Sequence, residues 1–149
     1  MQDFRLYAIT GENFHPGRSL EEVMEQAIVG GADIIQFRDK SSGKHELLKK
    51  AKSLRQLTRR YGVPLIINDH IDLALEVDAD GIHLGQGDLS LTEARHRLGS
   101  KIIGISTHAL QEAVTAQQNG ADYIGVGPIY ATQTKADVVD PVGLDYIRE

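Results

Sequence analysis

Apolar residues along this chain gather in two alternating patterns. Short, β-branched and nearly uninterrupted apolar runs predict strands over residues 6–10, 33–37, 65–67, 81–84, 101–105 and 123–126. Runs of this kind suit strands covered on both faces, as in a parallel sheet. Between them the period becomes helical. Leu20, Val23, Met24, Ala27 and Ile28 fall on one helical face behind Ser19, which predicts an N-cap. Leu47, Leu48, Ala51, Leu54 and Leu57 form a second stripe, and shorter helices are expected over 70–76, 92–98 and 110–119.

Six β-then-α steps in strict order imply a parallel sheet with right-handed crossovers. An open doubly wound sheet and a barrel both meet that condition. An internal echo favours the barrel: Gly31-Ala32-Asp33, Ala79-Asp80-Gly81 and Gly120-Ala121-Asp122 each stand just before the second, fourth and sixth strands. No Gly-x-Gly-x-x-Gly follows the first strand, which argues against a dinucleotide site. The expected fold class is therefore α/β, a (β/α)8 TIM barrel of which residues 1–149 supply the first six βα units as one domain. Residues 132–141 form the longest stretch without periodicity, a length that loops in compact domains often owe to function.

Bulk composition narrows the classes. A net charge of −5 argues against nucleic acid and against anionic membranes as partners. No apolar run approaches the length of a membrane span, and the first residues lack the plan of a signal peptide. Cysteine is absent, which removes disulfides, thiolate zinc sites and a cysteine nucleophile. The default expectation is a cytoplasmic enzyme.

The unusual polar residues cluster just past strand ends. They are Gln36-Phe37-Arg38-Asp39-Lys40, Asn68-Asp69-His70, His83 to Asp88, Ser106-Thr107-His108, and Gly127-Pro128-Ile129-Tyr130 followed by Thr132-Gln133-Thr134-Lys135. In a parallel barrel these ends share the face that carries active sites. Arg38, Lys40 and Lys135 supply charge for phosphate groups. Asp69 and Asp88 supply two carboxylates without a thiolate, a donor set better matched to Mg²⁺ than to Zn²⁺. Thr132 and Thr134 add hydroxyls, and Gly125 and Gly127 let main-chain N–H groups approach an anion. These residues predict a Mg²⁺-assisted site for a phosphorylated, diphosphate-bearing substrate.

The same clusters resemble thiamine-phosphate synthases motif by motif. The matching runs are Gln36 to Lys40, Ile66-Ile67-Asn68-Asp69, Gly81 to Asp88, Gly104-Ile105-Ser106-Thr107-His108, Gly120 to Tyr130, and the Thr-x-Thr-Lys at 132–135. The resemblance implies that a hydroxymethylpyrimidine diphosphate and a thiazole phosphate are joined, with release of diphosphate. It implies that Gln36, Phe37, Arg38, Asp39, Lys40 and Asn68 hold the pyrimidine diphosphate, and that Asp69 and Asp88 bind Mg²⁺. Ser106 and Lys135 would contact the same substrate, so Arg38, Lys40, Ser106 and Lys135 form the expected catalytic set. Thr132 and Thr134 would hold the thiazole phosphate, and Gln133 between them is expected to bind substrate.

Plainer roles compete with these. Asp69 and Asp88 could close turns, Gln36 and Asn68 could satisfy main-chain groups, and Ser106 could cap a helix. His83 reads as a packed strand residue, while His15, His45 and His96 read as surface positions. The basic run through Lys49, Lys50, Lys52, Arg55, Arg59 and Arg60 reads as the solvated face of an outer helix. In the family, two further βα units close the barrel and add phosphate contacts, so a shortened chain, or a homo-oligomer covering the opening, is expected. Two other functions fit the motifs less well: a thiazole tautomerase-like isomerase, which lacks the acidic pair, and a non-catalytic phosphate-binding fragment.

Overall fold

A helix that starts where its sequence says it should sets the pattern. Ser19 caps α1 (Leu20–Val29) through a reciprocal box: its hydroxyl accepts from the Glu22 N–H at 3.1 Å, and the Glu22 carboxylate accepts from the Ser19 N–H at 3.0 Å. The structure is a computed structural model, and it describes residues 4–11, 15–133 and 139–148. The element order is β1 (Tyr7–Ile9), α1, β2 (Ile34–Phe37), α2 (Lys44–Tyr61), β3 (Leu65–Asn68), α3 (Ile71–Glu76), β4 (Gly81–Leu84), α4 (Leu91–Leu98), β5 (Ile102–Thr107), α5 (Leu110–Gln118), β6 (Tyr123–Val126) and α6 (Asp145–Arg148). The expected alternation holds throughout. Two boundaries move in a way that matters: β3 includes Asn68, and β5 runs on to Thr107, so Ser106 lies within a strand rather than beyond it.

The chain divides into two compact units, Met1–His83 and Leu84–Glu149. In the first, β1 to β4 pair in parallel and in sequence order. Register partners share a face, because side chains alternate along a strand. Ile35, Phe37, Leu65 and Ile67 therefore point one way, into a core with Met24, Ile28, Ala51, Leu54, Leu57, Ala74 and Val77 of the helices. Burying side chains of this size contributes about 1.5–3 kcal/mol each before the entropy of ordering them is counted. Helix α2 ends where Gly62 adopts φ 66 and donates its N–H to the Arg59 carbonyl, a left-handed turn that suits glycine. In the second unit β5 and β6 pair in parallel, with α4 and α5 packed on β5.

The repeated Asp turns share one hydrogen-bond device. The Asp33 N–H donates to the Leu6 carbonyl at 3.0 Å, and its carboxylate accepts from the N–H groups of Arg5 and Leu6. Asp80 makes the same exchange with Leu65, at 2.9 and 2.8 Å, and Asp122 with Ile103, at 2.8 and 2.8 Å. Each even strand thus enters by gripping the first residues of the odd strand before it. Arginines accompany all three grips: Arg55 pairs with Asp80 at 2.6 Å, Arg95 with Asp122 at 2.7 Å, and the exposed Arg5 more loosely with Asp33 at 3.9 Å. Two members of the basic run on α2, read as a solvated face, are thus engaged in ion pairs. The Arg55 side chain is only 12% exposed, and Lys50 is tied to Asp39 at 2.8 Å. No helix among the described residues is long and apolar enough to cross a membrane.

Candidate active site

Within the first unit, the ends of β2 and β3 bring five of the expected residues into defined positions: Gln36, Arg38, Lys40, Asn68 and Asp69. Gln36 pairs in register with Ile9 and with Ile66, and Asn68 pairs with His83. Gln36, Asn68 and His83 therefore share the face opposite the helix-packed core. Gln36 is 3% exposed and donates from Nε2 to the Tyr7 hydroxyl at 2.9 Å. His83, read as a packed strand residue, is half-buried on that same face of β4.

Past the strand ends, the Lys40 ammonium stands 3.3 Å from the Asp69 carboxylate. Asp69 has φ 61, a left-handed conformation unusual for a residue with a side chain. Main-chain bonds hold it there: its N–H donates to the His83 carbonyl at 2.9 Å, and its carbonyl accepts from the Ile71 N–H at 3.1 Å. The Arg38 backbone is held by Thr10, whose hydroxyl accepts from the Arg38 N–H at 2.8 Å and donates to the Arg38 carbonyl at 2.9 Å. Sequence reasoning passed over Thr10, because nothing in local periodicity marks a contact made 28 residues away. A cavity of about 350 Å³ opens beside Thr10 and Arg38, walled also by His15, Asp39, Lys49 and Lys50 and not by Lys40 or Asp69.

Two members of the expected pyrimidine set have other work. Phe37 is 2% exposed and belongs to the helix-facing core, on the opposite face from Gln36. Asp39 is 6% exposed; its carboxylate accepts from the N–H groups of Ser41 and Ser42 and pairs with Lys50. These contacts fix the β2–α2 turn. Phe37 thus serves the helix-facing core and Asp39 the β2–α2 turn, contacts that the local order of a motif does not reveal.

The second unit carries the remaining described positions. The Asp88 carboxylate accepts from the Gly85 N–H through Oδ2 at 2.6 Å, while the Asp88 N–H donates to the Gly85 carbonyl at 3.3 Å. The turn aims an exposed carboxylate and engages one of its oxygens. Ser106 pairs in register with Gly125, and its carbonyl accepts from the Gln86 Nε2 at 2.7 Å. Ser106 does not cap α5, whose N-cap is Ala109. His108 contacts the Gly127 carbonyl through Nδ1, and its N–H donates to Glu112 at 2.7 Å. Thr132 and Gln133 lie in exposed irregular chain, whereas Thr134 and Lys135 fall outside the described residues. The Val142 N–H donates to the Pro128 carbonyl at 2.8 Å, and the Tyr146 hydroxyl donates to the Thr107 hydroxyl at the end of β5 at 2.8 Å.

Comparison with known proteins identifies the family and the fold. Residues 6–149 match the family described as thiamine monophosphate synthase. The thiamine-phosphate synthase of Halalkalibacterium halodurans is 66% identical over 100% of this chain and 71% of its own length. That of Shouchella clausii is 65% identical, over 100% and 72%. Among solved structures, the thiamine phosphate pyrophosphorylase from Pyrococcus furiosus superposes with a TM-score of 0.85 at 37% identity, over 97% of this chain and 68% of that one. The match bears out the expected barrel-type α/β fold. On the sequence match over 6–149 and the shared fold, the chain belongs to the thiamine monophosphate synthase family, whose members are transferases.

Proposed function

We propose that this protein joins 4-amino-2-methyl-5-hydroxymethylpyrimidine diphosphate to thiazole phosphate, giving thiamine phosphate and diphosphate. The observation that carries the reading is the meeting of Lys40 and Asp69, a cation and a carboxylate 3.3 Å apart at adjacent strand ends. An ammonium there suits a diphosphate oxygen, and a carboxylate beside it suits a divalent cation carried by that diphosphate. Family membership supports the same reading.

The donor chemistry fits Mg²⁺. Asp69 and Asp88 offer hard carboxylate oxygens, and each is set in a main-chain turn that aims it. Mg²⁺ commonly takes one or two protein carboxylates and completes its shell with water and substrate phosphate. When bound, it would supply charge that stabilises the departing diphosphate.

The chain's own residues supply the rest. Arg38 and Lys40, together with Lys135 outside the described residues, would supply positive charge to the oxygens on which negative charge develops. Gln36 and Asn68 orient the pyrimidine from their shared face, and Ser106 contacts the same substrate. Thr132, Gln133 and Thr134 receive the thiazole phosphate, holding the second reactant in line. The C–O bond to diphosphate breaks with its electron pair leaving on oxygen. The aminopyrimidine delocalises the resulting cation, and the thiazole nitrogen lone pair forms the new C–N bond. No side chain acts as nucleophile or general base.

The test is product formation from both substrates with and without Mg²⁺, in the wild type and in Asp88→Ala. The expected result is Mg²⁺-dependent thiamine phosphate formation that falls at least about 100-fold in the variant. Wild-type rates in Asp88→Ala would remove the metal assignment. Metal-independent turnover of thiazole phosphate alone would replace the whole reading with an isomerase.

A further inference from the structure

The ladder between β1 and β2 changes character at its last rung, and the change falls on Arg38. Within the ladder, the Thr10 N–H donates to the Gln36 carbonyl at 2.9 Å. In a regular parallel pair the next bond would run from the Arg38 N–H to the Thr10 carbonyl. Here the Arg38 N–H turns to the Thr10 hydroxyl instead, at 2.8 Å. The same hydroxyl donates to the Arg38 carbonyl at 2.9 Å. A carbonyl only accepts; a hydroxyl donates and accepts, so one atom ties down both polar backbone groups of Arg38.

We propose that Thr10 is a positioning residue for Arg38, fixing where its guanidinium stands for the diphosphate; the inference rests on the function proposed above. With both peptide units flanking the Arg38 Cα held, the direction of its Cβ is set. Thr10 is 4% exposed, so water has little access to compete for these bonds. Its β-branched side chain also restricts χ1, keeping the hydroxyl aimed. Threonine supplies in one side chain what the strand backbone cannot supply at this point: an acceptor and a donor on the same atom.

The test compares Thr10→Val, which keeps the shape and loses the hydroxyl, with Thr10→Ser, which keeps the hydroxyl. Calorimetry with inorganic diphosphate and Mg²⁺ reads binding without turnover. Thr10→Val should weaken binding about tenfold and Thr10→Ser by no more than about twofold. In an Arg38→Ala background, Thr10→Val should have no further effect, because its influence passes through Arg38. In turnover, the KM for the pyrimidine diphosphate should rise while that for the thiazole phosphate stays unchanged. Equal binding by Thr10→Val and wild type would overturn the inference and leave the proposed function standing. A loss that persists undiminished in the Arg38→Ala background, or a rise in both KM values together, would also overturn it, showing a role in the fold alone. If the wild type itself binds no diphosphate, the proposed function fails and this inference fails with it. Should Thr10→Val not fold, Thr10→Ala removes the same hydroxyl and is judged by the same cycle.

Discussion

The carboxylate of Asp69 stands 3.3 Å from the ammonium of Lys40, on a backbone turned to φ 61. For residues with a Cβ the left-handed region costs about 1–2 kcal/mol, least for Asn and Asp. Glycine would occupy the same turn without that cost. The strand end thus keeps a carboxylate, against a half-exposed lysine, in a conformation that glycine would adopt without strain. The ion pair does not alter that balance, since Lys40 is half exposed and such pairs contribute little.

Two variants separate the chemistry from the strain. Asp69→Gly and Asp69→Ala both delete the carboxylate, so both should lose Mg²⁺-dependent product formation to the same extent. Their stabilities should differ, because alanine keeps the Cβ that φ 61 disfavours. Urea unfolding should find Asp69→Gly more stable than Asp69→Ala by about 1 kcal/mol. Equal midpoints would mean that the turn relaxes and that no strain is held at this position.

How much of this was legible beforehand follows from the range of each interaction. Alternation of short apolar runs with helical stripes gave every element from β1 to α5, because buried parallel strands and amphipathic helices carry their signals locally. Ser19 was legible as a cap for the same reason. Strand ends were not: Asn68 and Ser106 are polar, yet ladder pairing carries both into strands. The Gly-Ala-Asp echo was visible as a repeat, but the exchange that each Asp makes with the preceding odd strand was not, since its partners lie 15 to 28 residues away. Phe37 and Asp39 sat inside a convincing motif and turned out to serve the core and a turn. Adjacent motif residues alternate in direction, and only register decides which of them faces substrate.

Asp33 gives a dependence on pH. The N–H groups of Arg5, and then of Leu6, hold its carboxylate below the usual range by stabilising the charged form. The folded state therefore binds fewer protons than the unfolded chain between the lowered and the ordinary value. Stability from this group is fully present above the ordinary value, near pH 4, and is lost as pH falls through the lowered one. Glu22, held down by the Ser19 N–H, acts in the same sense. Urea midpoints followed from pH 7 to about pH 2 should fall less steeply in Asp33→Asn than in the wild type, from a lower starting point. Parallel curves would show that the Asp33 contacts do not distinguish folded from unfolded protein.

Gly104 faces Tyr123 across the β5–β6 ladder, and a Cβ built on Gly104 would overlap the tyrosine ring. The glycine is thus a space into which a ring from the neighbouring strand fits. Gly104→Ala must move that ring or part the two strands, a cost of about 1–3 kcal/mol. Tyr123→Ala empties the space, so the added methyl should then be tolerated. Urea unfolding of the wild type, both single variants and the double variant should give a favourable coupling that removes most of the Gly104→Ala penalty. The effect should reach the site as well, because Ser106 lies two residues along the same face and pairs with Gly125. Gly104→Ala is therefore expected to raise the KM for the pyrimidine diphosphate, and the double variant to restore it. If the two substitutions are simply additive, the glycine is required for a reason other than the Tyr123 ring, and its link to Ser106 through strand spacing goes with it.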